Sequence, residues 1–235
     1  MSGMFSNAKA FNQDIGNWNT SNVITMHSMF ADAINFNQDI GRWNTTNVID
    51  MTNLFLRASS FNQDIGNWNT ENVNKMINMF NSASSFNQDI GGWNIVQVST
   101  MASMFRHTKS FNQDISNWNT SNVKDMYAMF SGASAFNQNI GNWILHPKAS
   151  LLYLFDSTNL DCINYSATLI GWRTNNPNVN QMNLGVNGLL YGKNAEDARN
   201  ALINSQGWYI KGDAPSGNDC EIVGTHNEES LSDIF

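Results

Sequence analysis

Charge is scarce in this chain. Of its 235 residues only 13% are Asp, Glu, Lys or Arg, and the formal net charge is −7. Ordinary soluble domains carry about twice that charged share. Nucleic acids and anionic membranes are held by clustered Lys and Arg, so neither is expected as a partner. No apolar run approaches the ~20 residues that span a bilayer, so no membrane-spanning segment is expected, and no signal peptide opens the chain. Catalytic signatures are missing too: there is no H-E-x-x-H, G-x-S-x-G, P-loop, G-x-G-x-x-G or C-x-x-C. His27, His107, His146 and His226 are scattered without ligand spacing. Neither enzymatic activity nor a cofactor is therefore expected.

What fills the chain instead is Asn, Phe, Met and Trp, arranged with a period of 25 residues. Phe11, Phe36, Phe61, Phe86, Phe111 and Phe136 mark it, as do Trp18, Trp43, Trp68, Trp93, Trp118 and Trp143. Met26, Met51, Met76, Met101, Met126 and Leu151 form a third column, and Met29-Phe30 recurs down to Leu154-Phe155. All but one Phe and all but one Met fall in such columns. These residues are structural, since a lone unit cannot bury them and stacking makes one continuous apolar column. The register reaches back to Met1, so the first unit is expected to be truncated.

Within a unit, Met26, Met29, Phe30 and Ala33 have the spacing of one helical face, preceded by cap-type residues Thr25, Asp50, Thr100, Asp125 and Ser150. A two-turn helix is predicted there, and a short strand over Asn17–Ser21 from the alternation of Trp18 and Thr20. The chain divides into a stack of six units over 1–155, a capping segment over 156–215 and a flexible tail over 216–235. In the capping segment a helix capped by Asn164, running through Ile170 and ended by Gly171 is predicted, with two strands between Met182 and Tyr191, a helix over 195–205 and a strand near Trp208–Ile210.

The string FNQDIGNWNTSNV-x-x-M-x-x-MF-x-x-A resembles a family of 25-residue repeats found in mycoplasma lipoproteins and in BspA-like, leucine-rich-repeat surface proteins of bacteria. Its I-x-x-W-x-T-x-x-V core is similar to the leucine-rich pattern L-x-x-L-x-L-x-x-N. The resemblance covers residues 1–155 and implies an α/β repeat solenoid: a right-handed leucine-rich-repeat-like coil with a short-stranded parallel sheet and short helices. A small α+β cap, similar to the C-terminal units of Bacteroidetes-type surface proteins, completes it. Implied with the fold are export to the cell surface, a role in adhesion or protein binding, and no catalysis. Cys162 and Cys220 flank the cap; they are either a disulfide or two unrelated buried thiols, and surface exposure favours the bridge.

Three sets of residues are candidates for a site. Asn12 and its equivalents, each followed by Gln, suit turns whose amides bond along the stack. Asp14, Asp39, Asp64, Asp89 and Asp114 form an acidic ladder that needs either hydrogen-bond donors or calcium. The outward face of the predicted strands carries Asn17, Asn19, Arg42, Asn44, Asn67, Asn69, Glu71, Asn94, Asn117 and Asn119. Amides and hydroxyls suit an extracellular protein or a glycan, and a monomer is expected. Two alternatives stay open: ice binding by the Asn/Thr lattice, and a spacer within a longer surface protein.

Overall fold

A computed structural model describes residues 1–220. Its repeat units are built from tight turns. In the first complete unit Met29, Ala31 and Ala33 donate N–H bonds to carbonyls three residues back, and so do Trp18 and Val23. The intervening N–H groups point along the stack: Met26, Ser28, Phe30 and Asp32 donate to the carbonyls of Asp50, Thr52, Leu54 and Leu56 of the next unit, at 2.7–3.0 Å. The same four bonds recur at each junction down to the pair Met126–Ser150 and Gly132–Asp156.

The two-turn helix expected over Met26–Ala33 is therefore not formed. Ser28 and Asp32 adopt left-handed φ of 54° and 61°, as do their equivalents in the other units. A left-handed residue turns its peptide out of the helical ladder, so these N–H groups leave for the neighbouring unit. The strand expected over Asn17–Ser21 is also absent, because that segment is two linked turns. Parallel bridges run instead through Thr25, Asp50, Lys75, Thr100, Asp125 and Ser150. Of these, Thr25, Asp50, Thr100 and Asp125, expected to cap helices, instead close local turns, Asp50 accepting the Thr52 N–H at 2.9 Å.

Side chains repeat with the backbone. Phe30 lies face to face with Phe36 of its own unit, centroids 3.9 Å apart, and 5.6 Å from Phe55 of the next. From Trp43 to Trp143 each indole N–H of the Trp column reaches back 28 residues to an Ile carbonyl, as Trp93 does to Ile65 at 3.2 Å. Thr20, Thr45, Thr70 and Thr120 are buried and donate their hydroxyls to carbonyls of the following unit. The interior of the stack is thus apolar with its fully buried side-chain polar atoms partnered, the condition for burying them at all, while in the cap the buried Gln206 Oε1 has no partner among the described residues.

The last unit ends against helix α1, Cys162–Asn175, capped by Asp161, which accepts the Asn164 N–H. Asn164 itself, expected as the cap, donates to the Asn137 side chain, and Gly171 lies inside the helix. A methyl group on Gly171 would collide with the backbone of Gly141, so this glycine permits close docking rather than ending the helix. Trp172 donates to Ile140 at 3.0 Å, continuing the Trp column from a helix. Beyond α1 come β1 (Asn183–Gly185), β2 (Leu190–Tyr191), α2 (Glu196–Asn204), β3 (Tyr209–Lys211) and β4 (Ala214–Pro215). β1 pairs with β3 and β2 with β4, both parallel, and Leu184 bridges to Leu151.

Inside the cap, buried Asp213 takes a two-pronged bond from Arg199, both at 2.7 Å, and a third from the Tyr165 hydroxyl at 2.9 Å. Burial first, and then the Asp213 charge, push the Tyr165 hydroxyl well above its ordinary pKa. Cys162 and Cys220 are joined by a disulfide, a closure worth about 4 kcal/mol in the chain-entropy description. Part of the expected tail belongs to the cap: the Ser216 N–H bonds to Tyr191, and Asn218 accepts from Lys193. The rest of it, 221–235, lies outside the described residues.

The Trp column yields a contrast. Trp93→Phe leaves the Ile65 carbonyl with only the turn bond from the Trp68 N–H and empties part of the space the buried indole fills, and is expected to lower stability by about 2 kcal/mol. Trp18, 40% exposed and with no indole partner, is expected to tolerate Phe within about 1 kcal/mol. Urea unfolding of both variants checks the difference.

Candidate functional site

All ten residues of the expected binding face are exposed. They fall into two kinds. Asn19, Asn44, Asn69, Asn94 and Asn119 each accept, through Oδ1, the N–H two residues on, at 3.0–3.2 Å. The main-chain carbonyls of Asn44, Asn69 and Asn94 also accept Thr hydroxyls from the preceding unit. These asparagines are turn formers first, with only their Nδ2 groups turned to solvent chemistry. The second kind, Asn17, Arg42, Asn67 and Asn117, has side chains that make no hydrogen bond among the described residues. Glu71 is likewise unpaired through its carboxylate, whereas Ser21 and Ser121 at equivalent places bond to Asn19 and Asn119.

The acidic ladder lies next to this second row. Shallow clefts of about 270 and 260 Å³ separate neighbouring units here. The first is lined by Asp14, Asn17, Gln38, Asp39 and Arg42, and the second by Asp39, Arg42, Gln63, Asp64 and Asn67. The two sets of residues therefore share one surface, a juxtaposition the sequence reading treated as separate. Its cause is local: Asp14 accepts the Gly16 N–H through its side chain and the Ile15 carbonyl accepts the Trp18 N–H, so one tight turn carries both Asp14 and Asn17.

Each ladder aspartate has its donor. Asp14, Asp39, Asp64, Asp89 and Asp114 accept the N–H two residues on through Oδ1, all at 2.9 Å. Asn139 makes the same bond to Gly141 in the sixth unit, so the turn needs an acceptor oxygen and not a charge. The N–H and hydroxyl of Ser116 hold the Asp114 carboxyl below its ordinary pKa. Among the described residues no three His, Cys, Asp or Glu side chains are grouped to hold a metal ion.

The amide column closes the stack along its edge. Asn12, Asn37, Asn62, Asn87 and Asn112 each accept, through Oδ1, the main-chain N–H of the next Asn, and the following Gln adds its Nε2. At the end of the row Asp161 and Asn164 take over these two roles on Asn137. The buried Thr hydroxyls cannot present an ice-matching lattice, since they face the interior. One surface went unforeseen: a cleft between the sixth unit and the cap that includes Tyr153 and Tyr209. Its only trace in the sequence is the change to Tyr153 in a column otherwise filled by small residues.

Stacked 25-residue units closed by a helical cap define a tandem-repeat protein. The chain belongs to the family described as Mycoplasma protein of unknown function, DUF285, whose model matches residues 1–89 and 63–172. No curated protein and no solved structure matches the chain. No helix among the described residues is long and apolar enough to cross a membrane.

Because the ladder turn needs only an oxygen, Asp89→Asn is expected to change stability by less than about 0.5 kcal/mol, and Asp89→Ala to cost about 1 kcal/mol. Millimolar calcium is expected to leave the melting temperature unchanged; a rise abolished by chelator would place ions between the carboxylates.

Proposed function

We propose that this chain is a non-catalytic binding or adhesion module of the BspA-like kind, exported to the cell surface. Its stack is read as a right-handed, leucine-rich-repeat-like solenoid that presents its amide-rich face to an extracellular protein or a glycan. One observation carries the reading. Asn17, Arg42, Asn67, Glu71 and Asn117 are exposed, their side chains make no hydrogen bond among the described residues, and none belongs to the core. The neighbouring Asn12, Asp14 and Asn19 columns are, by contrast, committed to turns or junctions. Residues that vary between units while making no contact within the chain are where a partner's chemistry has room to select. The spacer role is the outcome left if the face binds nothing.

A set of four substitutions tests the face without weakening the fold: Arg42→Ala, Asn67→Ala, Glu71→Ala and Asn117→Ala. On an array of glycans and extracellular proteins the chain is expected to show hits that this variant loses, at an unchanged melting temperature. Binding left intact in the variant rejects the face. Alanine at Asn44, Asn69, Asn94 and Asn119 is a poorer probe, since each removes a turn-closing bond worth about 1 kcal/mol.

A further inference from the structure

Away from that face, a cleft of about 420 Å³ opens where the sixth unit meets the cap. Its size is that of a small-ligand site, which runs from ~300 to 1,000 Å³. Tyr153 and Asp156 line it from the unit; Asn183, Asn187, Tyr209 and Lys211 line it from the cap. Tyr209 is 60% and Tyr153 50% exposed. Tyr127 packs edge-on against Tyr153, centroids 5.5 Å apart and planes at 84°, which holds that ring in place. The cleft wall is close-built at two glycines: a side chain on Gly185 would collide with the Tyr153 backbone, and one on Gly212 with Asn187.

Neither tyrosine serves the stack. Tyr153 stands in the column of Ser28, Asn53, Asn78, Ser103 and Ala128, so the fold accepts a methyl group there. The side chains of Asn183, Asn187 and Lys211 make no hydrogen bond among the described residues. Asp156 uses Oδ1 to accept the Asn187 N–H at 3.0 Å and keeps Oδ2 uncommitted. Two exposed aromatic rings thus line one cleft with two amides and one ammonium group whose side chains make no hydrogen bond among the described residues and a carboxylate with one free oxygen, and the charges of Asp156 and Lys211 cancel.

We propose that this cleft binds a neutral carbohydrate, one or two hexopyranose rings of a glycan. The apolar C–H face of a pyranose packs against an aromatic ring, and its adjacent hydroxyls, each both donor and acceptor, match planar amides and a carboxylate. An anionic ligand gains nothing from a cleft without net charge. A proline-rich peptide would use the tyrosines and leave four polar groups without partners. This site is separate from the amide-rich face and does not depend on it.

The test is a titration of the full chain with the neutral glycans of an array, followed by calorimetry on the strongest. Tyr209→Ala and Tyr153→Ala are each expected to weaken binding about tenfold, with the melting temperature kept, because Tyr209 is exposed and Ala128 already fills the column of Tyr153. The four-residue variant of the amide-rich face is expected to bind the glycan normally. Three results overturn the proposal: no neutral glycan binds, glycan binding survives both tyrosine substitutions, or the tyrosines govern binding of a proline-rich peptide and no glycan. Loss confined to the four-residue variant would sink the cleft and support the amide-rich face, so the two readings fail separately.

Discussion

Peptide groups aligned along the stack hold this structure together. In every unit four alternate N–H groups leave the local turns and bond to carbonyls of the next unit. That alignment requires two left-handed residues per unit, and apart from Gly132 the complete units fill these places with non-glycine residues. Each such residue costs on the order of 1 kcal/mol. The strain is offset only when a neighbouring unit is present to accept the bonds, so no unit is stable alone. Everything else in the repeat follows from this dependence. Fixed peptide register forces residues 25 apart to sit above one another, and Phe, Trp, Thr and Asn then repeat as columns because each meets the same partner in the neighbouring unit.

The same dependence explains the cap. A stack that ends leaves its last carbonyls and amides unpartnered and its last Phe and Trp bare. Helix α1 answers these groups one by one: Asp161 and Asn164 for the Asn-Gln pair, Thr168 for the Ile140 N–H at 3.2 Å, Trp172 for its carbonyl, Asn176 for Leu145 and Trp143. A helix can do this because, apart from the Asp161 N–H that precedes it, side chains and not peptide groups make these bonds on its side. Arg199, Asp213 and the Cys162–Cys220 bridge then tie the cap to itself.

Much of this was legible in the residues. The 25-residue period, the inward Phe, Trp, Thr and Met columns, the amide ladder and the order of elements in the cap all follow from spacing. What misled was the period-3.6 pattern of Met26, Met29 and Phe30. Tandem turns place side chains at nearly the same intervals as a helix, so apolar spacing does not separate the two; only the left-handed φ at Ser28 and Asp32 does, and Ser and Asp carry no clear signal for it. The outward residues were named correctly as exposed. Yet spacing could not reveal that Asn44 closes a turn while Asn67 is free, since that depends on a neighbour's N–H. The tyrosine cleft joins segments distant in sequence and lay beyond any local reading.

The central claim is that units hold one another through register, each interchangeable with the next. Deleting residues 61–85 removes one whole unit and joins Ser60 to Phe86, whereas deleting 61–84 removes one residue fewer. The shorter chain lacking the whole unit is expected to fold cooperatively with its cap and to keep the near-ultraviolet signal of its stacked aromatics, at somewhat lower stability. The deletion that breaks the period should lose that signal beyond the junction. If removing the whole unit unfolds the chain as completely as the out-of-register deletion does, the units are not interchangeable and the account is wrong.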